Sequence, residues 1–424
     1  MSEKLALEGG TPVNAEPFPA WPQFAPETIE AAVEPLRTGK VNYWTGELGM
    51  QFEQKFAEWC GAKFGISTTS GTSALHVGLA GLEIGPGDEV IVPSYTFIAS
   101  SFAVCQAGAI PVFADVERET HTLSPESVEA MISDRTRAIM PVHLYGIVCN
   151  MGPLEEIARK YNLYIIEDGA QAHGGTYRGK KVGTIGDVGC FSFCQSKIIT
   201  TGGEGGAVVT DDEEVAWRCR SFRDHGYDVS ERLRLLELEA RLPYIHNMVG
   251  YNYRMTEVQS AVGLKELERI DTYHLKNRRR NGELLTQLLK DCQEILYLPL
   301  DTEERRNAYW MYPIVLDLDK LTIDDARQFV KALEAEGIPC GPVMWPQCYK
   351  ERAYREQRGF GRLNYPFGDP NARAAALNFE KYCCENAAWL ETRTFFVPTH
   401  PVYEEKHCHL MAEAIKKVIR AYAR

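Results

Sequence analysis

The chain reads as an α/β protein built on a mostly parallel sheet with helices on both faces. Three observations point there. Short β-prone runs alternate with helical ones from Phe64 onward, and those runs are continuously apolar rather than alternating in polarity. The third is bulk: 45% apolar content over 424 residues can bury a large core, organised in roughly two or three domains.

In chain order, residues 1–25 are rich in Pro and Gly and read as an irregular arm. Pro26 opens a helix through Arg37 that Gly39 is placed to stop. The loop Lys40–Gly46 carries Tyr43 and Trp44, which either plug the core or line a pocket, and a helix follows from Glu47 to Cys60. The alternation then runs through strands at Lys63–Thr68, Glu89–Pro93, Ala109–Phe113, Ala138–Pro141 and Leu163–Ile166. Helices are expected between them from Thr72, Thr96, Pro125 and Pro153. An aromatic run from Cys190 leads to the glycine-rich turn before Gly206, and Ala207–Thr210 reads as one more strand. Residues 224–249 look like an insertion whose charges form a solvated face. Thr256–Gln259 has the form of a capping box, and a long helix behind it leads to a second domain from about residue 270. That domain alternates again, with strands at Tyr309–Leu316 and Thr394–Val397 and helices at Asp324–Gly337 and from Glu404. The expected division is an arm (1–25), a large domain (26–269) and a small one (270–424).

The charge balance, 46 basic against 58 acidic residues, is spread without blocks and argues against a nucleic-acid partner. Twelve scattered cysteines without a CxxC pair, no N-terminal signal segment and no apolar run of bilayer length point to a soluble protein of the reducing cytoplasm. His400, His407 and His409 with Cys408 lack zinc-like spacing, so no metal is expected.

Sites in such sheets gather at the carboxyl ends of the strands, which leaves four places to search. At Thr68–Leu75, Gly71, Thr72 and Ser73 combine open backbone N–H groups, hydroxyls and a helix N-terminus, as an anion site needs; a plain serine N-cap is the competing reading. Phe97, just after a strand, can lie on a planar ring or pack in the core. Asp168 ends an apolar strand, where a carboxylate needs a cation or hydrogen-bond donors; a helix cap or structural ion pair competes. Lys197 sits between the aromatic run and the glycines, with Ser192 five residues before it. Desolvation there lowers a lysine pKa and frees the lone pair needed for a Schiff base, whereas the bland alternative is a surface lysine in a hairpin. Taken in order, these parts are those that hold pyridoxal 5′-phosphate. A Walker-like near miss at Gly174–Lys181 lacks the Gly-Lys-Ser/Thr ending and opens no helix.

Ser70-Gly-Thr-Ser-Ala-Leu75, Glu167-Asp-Gly-Ala-Gln-Ala172, Phe191-Ser-Phe-Cys-Gln-Ser-Lys197 with its Gly-Glu-Gly-Gly206, and Gly250-Tyr-Asn-Tyr-Arg-Met-Thr256 resemble the DegT/DnrJ/StrS family over essentially the whole chain. These are pyridoxal-phosphate-dependent aminotransferases of the aspartate-aminotransferase fold (fold type I). The resemblance implies that Lys197 binds the cofactor and shuttles the proton and that Asp168 pairs with the pyridine nitrogen. It places Gln171 near the ring's 3′ oxygen, Phe97 on the ring face, and Thr72, Ser73 and Ser192 on the phosphate, helped by Asn252 of the neighbouring subunit in a homodimer. Tyr43, Trp345 and Tyr349 are the candidate substrate contacts, and residues 350–382 a possible flap. Gly202 and Gly203 precede Glu204 where many members have one residue fewer. Related dehydratases replace the lysine by histidine, so Lys197 favours amino transfer over a dehydratase or aromatising synthase, and a reactive lysine argues against a non-catalytic regulator. Gln195-Ser196 and the overall length look closest to the branch that aminates keto-cyclitols such as scyllo-inosose with L-glutamine. Nucleotide-linked ketosugars, and L-glutamate as donor, are the alternatives.

Overall fold

A computed structural model describes residues 4–237, 245–343, 345 and 347–424. Its central feature is a seven-stranded sheet in the order Phe64–Thr68, Gly206–Thr210, Val188–Ser192, Tyr164–Asp168, Thr136–Ile139, Glu89–Pro93, Ile110–Ala114. Only Gly206–Thr210 runs against its neighbours; the other pairings are parallel. Alternate side chains of one strand serve opposite faces. Val90 and Val92 join one core cluster, and Ile91 joins the other with Phe52, Phe56 and Phe191. Burial on both faces is why these strands read as unbroken apolar runs.

The expected helices form close to their predicted ends. Pro26–Thr38 stops at Gly39 in the left-handed region, and Thr256 caps Glu257–Glu268 in a true capping box. A six-residue π-helical stretch, Ile270–Leu275, joins that helix to Lys276–Leu289. A second sheet runs Ile295–Tyr297, Met311–Leu316, Thr394–Pro398, Gly341–Pro342 and packs against Ala326–Ala335 and Glu405–Tyr422. The N-terminal arm is tied to this layer. Buried Glu336 accepts from the backbone N–H of Ala6 and Val13 (2.9 Å each) and pairs with Lys417 Nζ at 2.9 Å. The Gly174–Lys181 near miss is a hairpin, Thr176–Tyr177 with Lys180–Lys181, turning through Arg178 and Gly179, both at positive φ.

Two expectations need correction. Residues 350–382 are not a free flap. Buried Tyr354 and Phe379 pack with Tyr382 around Phe113 of the large sheet, and Arg373 forms a two-pronged pair with buried Glu89 (2.7 and 2.8 Å). In the 224–249 segment, helix Val229–Glu237 does not simply turn its charges to solvent. The Arg232 guanidinium lies over Trp44 at 4.0 Å and Tyr227 at 4.1 Å. The rest of the predicted charged stretch, 238–244, lies outside the described residues.

Candidate active site

Strand alternation separates the two carboxylates at the end of Tyr164–Asp168. Glu167 points into the sheet's packing and is saturated there by the N–H groups of Gly183, Ile185 and Gly186 (2.7–2.9 Å) and by His143 Nε2 at 3.1 Å. Its role is to hold the 183–186 turn. Asp168 faces the other way, buried, accepting from Ser100 Oγ at 2.7 Å and from the Ala170 N–H at 3.1 Å. Burial raises its pKa, against the pull of these two bonds, and Lys197 acts in the same lowering direction. A carboxylate so placed favours a cationic partner.

Lys197 lies in the connection between two antiparallel strands, Val188–Ser192 and Gly206–Thr210, so both ends of its loop are anchored in the central sheet. Internal bonds shape it: Cys194 N–H to Ser192 Oγ (3.3 Å), Lys197 N–H to the Cys194 carbonyl (2.9 Å) and Gln195 N–H to the Gly203 carbonyl (2.9 Å). Gly202 and Gly203, where the loop is one residue longer than in many members, take φ of 88° and 130°, and the chain turns back through them. The lysine is half-buried, not a surface lysine. Burial lowers its pKa, while Asp168, Cys194 and Glu204 raise it. Its Nζ lies 4.3 Å from the centre of the Trp310 ring.

The expected anion cradle falls at the start of helix Gly71–Gly81, capped by Ser70. Ser73 is the residue whose role the geometry changes most. Its Oγ accepts from the Ser70 N–H at 2.9 Å and donates to the Ser70 carbonyl at 2.8 Å, so the serine-cap reading accounts for its hydroxyl. Gly71 and Thr72 stand at the first two helical positions, where backbone N–H groups have no intrahelical acceptor. A Cβ on Gly71 would lie 2.5 Å from Ser192 Cβ, which explains the glycine: it lets the helix start approach the lysine-bearing strand. The fit to a phosphate is therefore good in Gly71, Thr72 and Ser192.

Phe97 is 44% exposed and meets Trp345 edge-to-face with centroids 5.1 Å apart, so its ring stands open while Trp345 packs half-buried against the core. Gln171 is buried, and its Oε1 accepts from the Tyr145 N–H at 2.7 Å, leaving the amide N–H₂ as its free end. Two candidate substrate contacts fail. Tyr43 is buried, its hydroxyl donating to Glu53 at 3.0 Å and its ring under Arg223. Tyr349 is buried too, donating to Gln347 at 2.7 Å against Phe113 and Tyr382. Both tyrosines serve the core. Asn252 is exposed, and the bonds of its loop run to Phe222, Arg223, Asp224 and His225, not to the Lys197 loop.

Ser100, Arg278 and Trp310 were not legible as site residues. Ser100 sits in an unremarkable Ala-Ser-Ser run; the only available signal for Arg278 was the triple arginine 278–280, which reads as a solvated helix face. Among the described residues, no three His, Cys, Asp or Glu side chains are grouped to hold a metal ion, and no helix is long and apolar enough to cross a membrane.

The family model described as DegT/DnrJ/EryC1/StrS aminotransferase matches residues 22–376. The chain belongs to this aminotransferase family. DegT/DnrJ/EryC1/StrS members are pyridoxal-phosphate-dependent transaminases of fold type I, which the central sheet and the strand-end site match. One relative is a GDP-perosamine synthase of Caulobacter vibrioides, 44% identical over 306 residues, 72% of this chain and 78% of that protein. Another is the L-glutamine:2-deoxy-scyllo-inosose aminotransferase of Streptomyces paromomycinus, 36% identical over 429 residues, 99% of this chain and 98% of that one. Among solved structures, an aminotransferase from Psychrobacter cryohalolentis superposes with a TM-score of 0.84 at 34% identity, covering 96% of this chain and all of that one.

Proposed function

We propose that this aminotransferase moves the amino group of L-glutamine onto a keto-cyclitol of the scyllo-inosose type. The observation that carries the chemistry is a half-buried Lys197, its pKa lowered by burial, near a buried Asp168 whose one side-chain donor among the described residues is Ser100. Pyridoxal phosphate, when bound, supplies an aldehyde that holds amino groups and a ring that takes up the electrons left by a departing proton. Asp168, whose burial the Ser100 bond partly offsets, would pair with a protonated ring nitrogen. Lys197 would hold the aldehyde and, as a free amine, would take and return the proton at the donor's Cα. Gly71, Thr72 and Ser192 hold the phosphate by N–H and hydroxyl donors, Phe97 covers one ring face, and the Gln171 amide donates toward the 3′ oxygen. Asn252 contributes from a second copy, in a homodimer.

The choice of acceptor rests on the reach of the similarity. The likeness to the 2-deoxy-scyllo-inosose aminotransferase extends over 99% of the chain, whereas the perosamine synthase match spans 306 residues. The higher identity of that shorter match favours a second reading, a nucleotide-linked ketosugar as acceptor. A single-turnover experiment separates them: the amine-loaded holoenzyme is mixed with scyllo-inosose, 2-deoxy-scyllo-inosose or a GDP-linked 4-ketosugar, and the return of visible absorbance is followed. Fast return with the cyclitols alone is expected. Return only with the nucleotide sugar overturns the first reading, and failure of glutamine to bleach the starting enzyme overturns the donor.

A further inference from the structure

Trp310 has no part in the roles above, yet its ring lies against the amine of the reactive lysine. It is 2% exposed and immediately precedes the strand Met311–Leu316. Its ring face lies 4.3 Å from Lys197 Nζ, and its Nε1–H donates to the Ser196 carbonyl at 2.5 Å, one residue before the lysine. Arg278, fully buried on helix Lys276–Leu289, donates to the Trp310 carbonyl at 3.0 Å and to the Lys197 carbonyl at 3.4 Å. Thr399 Oγ1 donates to the adjacent Tyr309 carbonyl and lies 3.3 Å from that of Trp310. The ring is thus fixed against the loop from the small-sheet side while the lysine is fixed from the large-sheet side.

A ring face attracts an ammonium and does nothing comparable for a neutral amine. Among the described residues no carboxylate lies within ion-pair distance of Lys197 Nζ. Asp168 from the central strand and Cys194 and Glu204 from the lysine's own loop act at longer range, and Arg278 and His173 also border it. The direct contact on the amine is therefore the indole.

We infer that Trp310 is a positioning residue that holds the Lys197 ammonium formed once the displaced, neutral amine has taken the donor's Cα proton. The inference rests on Lys197 being the reactive lysine. The proton that leaves the donor's Cα bonds to the lysine lone pair, and the C–H electron pair passes to the ring of the cofactor. The ammonium waits on the indole face and then returns the same proton to the former aldehyde carbon, so no other acid or base is required.

The test uses three proteins altered at one position: Trp310→Leu, Trp310→Phe, and tetrafluorotryptophan placed at 310, which keeps the indole's shape while draining charge from its face. In the cofactor-free proteins, reductive methylation of Lys197 is followed by peptide mapping across pH. The fluorinated and leucine proteins are expected to move the labelling midpoint to lower pH, with roughly threefold to tenfold faster labelling near neutrality, and phenylalanine to stay close to wild type. In the holoenzymes, kcat should fall about tenfold for the fluorinated and leucine proteins with KM within about threefold, and the isotope effect from Cα-deuterated donor should rise. A faster labelling plateau with an unmoved midpoint would mean mere access and overturns the inference, as does a fluorinated protein indistinguishable from wild type. Borohydride reduction of wild-type holoenzyme with peptide mapping tests the prior reading separately: a tag on a residue other than Lys197 removes that reading, whatever Trp310 does.

Discussion

Asp168 shows how one side chain can be built against stability. Its carboxylate is buried with two donors, and burial raises its pKa above that of an unfolded chain, near 4. Between those two values the native protein holds a proton that the unfolded chain has released. Stability of the cofactor-free protein therefore falls as pH climbs through that window. Asp168→Asn should raise the Tm of the cofactor-free protein at neutral pH, with the gain vanishing below about pH 4, and should lower kcat by roughly 10²-fold or more. Thermal melts across pH together with donor half-reaction rates check both halves; a variant that loses stability at neutral pH contradicts this account. Glu167 is the contrast one residue earlier. Its four donors make it structural, and no reading of the Glu-Asp pair alone could have told the two apart without the strand's alternation.

At the level of the element, the helix start at Ser70–Ser73 serves capping and binding with different atoms. The Ser70–Ser73 reciprocal bonds secure the helix, which leaves the Gly71 and Thr72 N–H groups for an anion. Gly71→Ala places a Cβ 2.5 Å from Ser192 Cβ; the capped helix start holds one backbone and the sheet the other, so neither yields cheaply. We expect a loss of about 1–3 kcal/mol of stability and at least tenfold weaker pyridoxal phosphate binding. Denaturant titration and fluorescence-monitored reconstitution measure these separately. Ser70→Ala should cost only about 1 kcal/mol, with cofactor affinity falling less than for Gly71→Ala. Equal affinity losses would mean that helix fraying, not the close approach, governs the cradle.

For the whole molecule, the segment 350–382 straps the second sheet's side of the chain onto the first. Glu89 is 1% exposed and depends on Arg373 and on Ser133 Oγ at 2.6 Å for its charge. Arg373→Ala removes the cation and leaves the carboxylate buried, at a cost of about 2–3 kcal/mol given that Arg373 itself is partly exposed. Limited proteolysis should find the wild-type strap resistant except around exposed Phe360 and Leu363, and the variant cut across 365–382. A strap already cleaved throughout in wild type would restore the flap reading. The second prediction at this scale concerns assembly. If Asn252 completes a neighbour's site, inactive Lys197→Ala and weakened Asn252→Ala chains, mixed and reassembled, should regain activity, because one site in each mixed dimer carries neither change. Activity that never exceeds the sum of the parents would place Asn252 in its own chain's site.

Taken by itself, the sequence determined the α/β architecture and the order of the strands along the chain, and it singled out the candidate lysine, aspartate and glycine-cradle residues. Those signals are local: apolar runs of strand length, capping residues and glycines required by turns are set by neighbours a few residues away. Only the tertiary structure decided that Tyr43 and Tyr349 belong to the core, that Ser73 is spent on its own helix, that 350–382 is a strap, and that Trp310 and Arg278 grip the lysine loop. Ser73 finds its partner only three residues away, but Tyr43 is covered by Arg223, Tyr349 by Phe113, and Arg278 reaches Lys197 across 81 positions. A residue's own type and spacing carry no record of which distant surface will cover it; burial and hydrogen-bond partners exist only once the sheets have packed.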